Sequence, residues 1–128
     1  ADAVARLLER EGYTHVLIDT GEIAGLGHRP DGAPWQAAIV LPDGREVTRA
    51  ALSNRALAVS SPMATRIGGG KAHIVSPKGG LPRWQLAAVS APQAALADAL
   101  STAFCLMERD AIAVALAQLP GARLEALV

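Results

Sequence analysis

The chain has 128 residues, a length that fits a single domain. Twelve basic residues balance twelve acidic ones and neither sign clusters, so the electrostatic footprint of a nucleic-acid or anionic-membrane binder is absent. Apolar residues make up 51% of the chain but aromatics only 3%, which predicts a shallow core of Ala, Val and Leu; no apolar run reaches the roughly 18 residues of a transmembrane segment.

Val4, Leu7 and Leu8 mark the apolar face of a first helix that stops at Gly12. No basic-then-apolar signal segment precedes it, and a chain that opens in mid-helix without an initiator methionine reads as a piece of something longer. His15 to Asp19 predicts a short buried strand, and Glu22 to Gly27 a second one. Pro30-Asp31-Gly32 and Pro42-Asp43-Gly44 are tight turns. Between them Trp35 to Leu41 predicts a central strand, with Glu46-Val47-Thr48 returning as a hairpin arm. Ala56 to Ser60 is a further strand, Ser61 to Lys71 a loop, and Ala72 to Val75 a short extended piece before the Ser76–Pro82 turn. Trp84 to Ala91 predicts a strand that Pro92 ends. A helix carrying Asp98 follows, then a last helix to Leu119 capped by Asp110, then a closing strand from Ala122 to Leu127. Strands that largely segregate from helices predict an α+β domain with a largely antiparallel sheet and flanking helices, spanning residues 1–128.

In the Asp98 helix, a carboxylate and the hydroxyl of Thr102 stand four residues apart and so share a face. The neighbours Leu96, Ala97, Ala99, Leu100, Ala103, Phe104 and Leu106 predict a core around them. A bare carboxylate there costs several kcal/mol unless a cation compensates it, and two hard oxygens suit a divalent ion such as magnesium. The alternative is an amphipathic helix whose Asp faces solvent and whose Thr bonds back to its own turn. His73, between a glycine-rich loop and a Pro/Gly turn, suits proton transfer or phosphate holding, or else is a satisfied, half-buried histidine.

Other candidates are weaker. His15 and His28 read as a strand and a turn residue, and no histidine pair has zinc spacing. Gly25-Leu26-Gly27 lacks the third glycine of a dinucleotide fingerprint, and Gly68-Gly69-Gly70-Lys71 lacks the spacing and the hydroxyl residue of a P-loop. Ser60-Ser61 has no strand-to-helix elbow, which excludes serine hydrolysis. Cys105 reads as a small packed hydrophobe.

Taken in order, Ala1 to Gly12, Leu17 to Gly27, Arg29 to Trp35, Leu57 to Ser61, Ala72 to Pro82 and Val89 to Phe104 resemble stretches of the FAD:protein FMN transferases, the last five of them carrying motifs. The family's patterns there are Asn-Gly-Gly-Asp-Ile, Pro-Asp-Gly-x-Pro-Trp, Ala-Thr-Ser-Gly, His-Ile-x-Asp-Pro-x-Thr-Gly and Ala-Asp-Ala-x-x-Thr-Ala. The resemblance to these ApbE-type flavin transferases covers only their C-terminal half, and it implies a portion of an ApbE-like, T-fold-type domain. It further implies transfer of FMN from FAD to a threonine of an acceptor protein, with release of AMP. Asp98 and Thr102 match the ligands of a Mg2+ ion, and His73 matches the histidine of the flavin site. Gly21, Glu22 and Ile23 match the segment whose backbone approaches the flavin.

The partners so implied are FAD, the acceptor protein and an N-terminal fragment of the same domain; by analogy the setting is the bacterial periplasm or an inner-membrane anchor. Several positions depart from the patterns. Asp19, Thr20 and Glu22 replace Asn, Gly and Asp; Val59 and Ser61 replace Thr and Gly; Ser76 and Gly79 replace Asp and Thr. Ser76 in place of Asp and Gly79 in place of Thr favour the alternative of an FAD-binding module without transfer; a further alternative is Mg2+-dependent hydrolysis of FAD to FMN and AMP, with water replacing the acceptor threonine. Without the other half, this stretch is expected to expose strands and a half-built cleft rather than to act as a catalyst by itself.

Overall fold

The computed structural model describes residues 1–128. Helix α1 (Asp2–Arg10) is followed by strands β1 (Val16–Asp19), β2 (Ile23–Leu26), β3 (Trp35–Val40), β4 (Glu46–Leu52) and β5 (Arg55–Ser60). Short strands β6 (Arg66–Ile67) and β7 (Lys71–Ala72) flank a turn of 3-10 helix, then come β8 (Ala87–Ala91), helices α2 (Ala94–Phe104) and α3 (Arg109–Ala117), and β9 (Arg123–Leu127). The main sheet has five strands in the order β1-β2-β5-β8-β9, every neighbouring pair antiparallel. The fold is α+β, as the segregation of strands and helices predicts, and no helix is long and apolar enough to cross a membrane.

Alternation along the central strands sorts the core into two layers. Leu57 and Ala88 face the β3–β4 hairpin and pack with its Ala37, Ile39, Ala50 and Leu52. Ala58, Ala91 and Ala97 pack on the opposite face, where α2 lies on the sheet, and Ala87 and Val89 meet Phe104, Cys105 and Ile112 beside them. Alanine at the sheet–helix contact leaves little side chain between α2 and β5. The helix therefore approaches closely enough for short hydroxyl side chains to meet across the interface. On the hairpin side, Arg55 donates to Ser90 Oγ and to the Gly121 carbonyl, fastening the turn before β9 to the sheet.

Several elements differ from the sequence expectations. The Val16–Asp19 strand is an edge strand with only Ile18 buried, not a buried one. Trp35–Val40 is not central: it pairs with β4 alone, and only its alternate residues Ala37 and Ile39 are buried. The Ser61–Lys71 loop contains the Arg66–Ile67 arm of a two-stranded ribbon. The strand expected from Trp84 begins at Ala87; the Arg83 and Trp84 N–H groups go to the Cys105 carbonyl, at 2.9 and 3.4 Å, and the Trp84 indole N–H to that of Met107 at 2.9 Å. Val4 and Leu7 stay exposed on α1, whose packed face is Ala1, Ala5 and Leu8. Asp110 lies in the first turn of α3 rather than at its cap, where Glu108 stands without a side-chain bond.

Candidate functional site

The C-terminal end of β5, the middle of α2 and the segment around His73 enclose an open pocket of about 570 Å³. Ser60, Ser61, Thr65, His73, Asp98 and Thr102 are among its lining residues, so three of the candidate residues predicted from sequence meet in one place. Asp98 is exposed at the pocket rim and not in the core, as the amphipathic alternative has it, which corrects the expectation of a bare carboxylate among apolar neighbours. The buried face of α2 is Ala94, Ala97, Ser101 and Phe104, and Asp98 is one residue round from it. Thr102 departs from the back-bonded alternative as well: its Oγ1 lies 3.2 Å from Ser60 Oγ, across the sheet–helix interface. Beneath it Ser60 Oγ and Ser101 Oγ are 2.8 Å apart.

His73 is fixed from one side. Its Nδ1 lies 2.9 Å from the Pro62 carbonyl and 3.0 Å from that of Thr65, and its backbone N–H donates to Pro62 as well. Carbonyls only accept, so Nδ1 carries the proton and Nε2 of the neutral ring holds the lone pair. The clasp ties the Pro62–Thr65 bend to the strand that carries His73.

Gly21, Glu22 and Ile23 do not line this pocket. Gly21 (φ +107°) lies in the β1–β2 turn, and Ile23 pairs with Leu57. Antiparallel register carries that turn toward the Ser60 end of β5, so it shares an end of the sheet with the pocket. The Glu22 carboxylate is engaged by the Ala1 nitrogen at 3.2 Å, and Ile23 packs toward the hairpin core.

The donor set fits a hard cation in part. The exposed Asp98 carboxylate takes part in no hydrogen bond or ion pair, its backbone alone being engaged, and Thr102 Oγ1 is one turn away on the same pocket. No three His, Cys, Asp or Glu side chains gather into a metal-holding group. Carboxylate plus hydroxyl is a donor set for Mg2+ completed by water, backbone carbonyl or phosphate oxygen, and it is unsuited to zinc. Ser60 and Ser101 were not legible as site residues, since only the β5–α2 packing brings their hydroxyls under Thr102. The sequence signals are a hydroxyl among small apolar residues for Ser101, and for Ser60 its match to the serine of the Ala-Thr-Ser-Gly pattern, neither of which states what the hydroxyl touches.

Fold and pocket together define an antiparallel α+β unit with an imidazole, a carboxylate and a hydroxyl at one end of its sheet. The chain belongs to the ApbE family, whose model matches residues 1–128. It is similar to the flavin transferase ApbE of Vibrio cholerae, at 31% identity and a TM-score of 0.73 over 96% of this chain and 42% of that one. A histidine-to-glycine variant of that enzyme matches at 27% identity and a TM-score of 0.71, over 91% and 40% of the two chains. The apo form of the Pseudomonas stutzeri flavinyl transferase ApbE gives 27%, 0.69, 91% and 39%. The chain thus spans less than half the length of these solved relatives. Among curated proteins, none matches it significantly.

Proposed function

We propose that this chain is the C-terminal portion of a Mg2+-dependent FAD:protein FMN transferase, which moves FMN from FAD to a threonine of an acceptor protein and releases AMP. The observation that carries the reading is the meeting of His73, Asp98 and Thr102 on one pocket in a chain of the ApbE family. Transfer breaks the bond between the pyrophosphate bridge and the FMN phosphorus and forms a new one from the threonine oxygen. AMP leaves with the bridging oxygen, and the threonine proton must go elsewhere. Asp98 and Thr102 would hold the ion, whose contribution is to neutralise charge on the pyrophosphate. His73 presents Nε2 as the acceptor for the threonine proton, with Nδ1–H locked on Pro62 and Thr65. Gly21, Glu22 and Ile23 supply the backbone that approaches the flavin at the same end of the sheet. The remainder of the domain, in the same chain or in a partner fragment, completes the adenine end.

A second reading is an FAD-binding module without transfer. It is favoured by Ser76, which replaces a carboxylate with a hydroxyl used locally to accept the Lys78 N–H at 3.2 Å. The experiment is an FAD titration with and without Mg2+ on this chain together with the remainder of its domain and an acceptor protein, followed by measurement of AMP and of flavin bound covalently to protein. Transfer requires both products, and Asp98→Ala should abolish them. FAD binding without AMP would select the module, and AMP without flavinylated protein would select hydrolysis. No binding of FAD would overturn all three.

A further inference from the structure

The hydroxyls beneath the pocket form a chain whose polarity is fixed at one end. Ser101 Oγ donates to the backbone carbonyl of Asp98 at 3.0 Å, and a carbonyl can only accept. That uses the single hydroxyl proton of Ser101, so in its 2.8 Å contact with Ser60 Oγ it accepts. Ser60 has then used its own proton, and the 3.2 Å contact with Thr102 Oγ1 is filled by the proton of Thr102. The protons therefore run in one sense, from Thr102 to Ser60 to Ser101 to the Asp98 carbonyl. Burial holds that sense in place: Ser101 is 0% and Ser60 8% exposed, which leaves Ser101 no water to exchange partners with.

The consequence lies at the open end. With its proton directed inward, Thr102 Oγ1 turns its lone pairs outward, the state in which a hydroxyl binds a hard cation. A proton aimed at the cation would oppose binding. We propose that Ser60 and Ser101 are positioning residues that hold Thr102 Oγ1 as a lone-pair donor for a divalent cation; the proposal rests on the reading of Asp98 and Thr102 as that cation's protein ligands. Ser101 does not line the pocket, so its influence passes through Ser60 and Thr102. Replacing Ser101 by Ala frees the Ser60 proton to turn onto Thr102 Oγ1, occupying a lone pair the cation needs. Replacing Ser60 removes the inward acceptor for the Thr102 proton.

The test is Mn2+, a paramagnetic stand-in for Mg2+, titrated into the protein with FAD present and read by electron paramagnetic resonance. Ser101→Ala and Ser60→Ala should each weaken Mn2+ binding about tenfold, the scale typical of residues that orient a ligand from behind. In a Thr102→Val background, Ser101→Ala should have no further effect. A packing defect would lower affinity in both backgrounds, so a loss that persists beside Thr102→Val overturns the proposal. Wild-type affinity in both serine variants also overturns it, and Ser60→Ala carries the test should Ser101→Ala fail to fold. Asp98→Ala separates the two levels: if Mn2+ affinity survives it, the cation is elsewhere and both readings fall. If Asp98→Ala loses Mn2+ and the serine variants keep it, the hydroxyl chain alone is wrong.

Discussion

The carboxylate of Asp2 accepts the N–H of Ala94 at 2.7 Å, across a separation of 92 residues, and also the N–H of Ala95 at 3.0 Å. These are among the amides at the start of α2 that have no partner within the helix, and Gln93 at the cap supplies no side-chain bond. The first helix thus caps the helix that carries Asp98, Ser101 and Thr102. Asp2→Ala should cost about 1 kcal/mol, a usual figure for a lost cap, and lower the melting temperature by roughly 4 °C. A calorimetric scan of the two proteins checks this, and an unchanged midpoint would mean the cap is not formed in solution.

The same contact sets a pH dependence. Partial burial pushes the Asp2 carboxyl up, but the N–H groups of Ala95 and Ala94 and the nearby positive charge outweigh it and hold it below its ordinary 3.8. A carboxyl depressed by folding contributes stability that is complete above the unfolded value and is lost as pH falls through the lower folded one. Urea midpoints of wild type and Asp2→Ala should therefore differ by a constant amount above about pH 5 and converge as pH falls below 3.8. A gap that persists undiminished in acid would assign the difference to something other than this carboxylate.

His73 is expected to hold the Pro62–Thr65 bend as well as line the pocket. His73→Ala removes one shared N–H donor to two carbonyls, a loss of about 1 kcal/mol, so local opening of the segment should rise roughly fivefold. Arg66 and Lys71 are exposed in the adjoining ribbon and offer trypsin sites. Limited proteolysis of the folded protein, with cleavage there compared between wild type and variant, reads the change directly. Equal cleavage rates would show that the clasp does not restrain the segment.

How far the sequence reveals this architecture depends on the range over which each feature is determined. The Ala56–Ser60 strand and the Asp98 helix are written in local pattern and turn residues, and the structure has both. The Trp35–Val40 segment looks central because Ile39 and Leu41 are strongly apolar, yet what buries them is the face of another sheet, not two neighbouring strands. Asp2 as a cap for Ala94, and Ser60 beneath Thr102, depend on contacts between residues 92 and 42 positions apart, and no local spacing encodes those. Helix phase puts Asp98, four residues after buried Ala94, only at the edge of the contact face, and its exposure comes from the pocket that opens beside it, which no local period encodes.

Cys105 should be nearly inert in the folded protein. It is fully buried, and burial pushes its thiol up to about 11, with a backbone contact at Ala87 offsetting part of the shift. Relative to its ordinary 9.0, that means roughly a hundredfold less thiolate at neutral pH, before access is considered. Reaction with a disulfide reagent at pH 8 should then be at least about a hundredfold slower in buffer than in urea. Rapid native-state labelling would show that α2 opens away from the sheet far more readily than its packing implies.

Two glycines separate backbone strain from lack of space. Gly12 and Gly27 both adopt positive φ, +88° and +54°, but a Cβ on Gly12 would meet nothing within 4 Å. A Cβ on Gly27 would run into the Thr14 carbonyl and the His15 ring. That closeness is structural: the His28 N–H donates to His15 Nδ1 at 3.1 Å, which seats the end of β2 against the start of β1, and the Gly27 N–H donates to Asn54 Oδ1 at 2.7 Å in the β4–β5 turn. Gly12→Ala should therefore cost about 1 kcal/mol, from the left-handed backbone alone. Gly27→Ala adds a collision with backbone and should cost about 3 kcal/mol or more. Denaturant unfolding of the two variants decides the matter, and similar losses would mean that the β1–β2 end yields to a side chain without resistance.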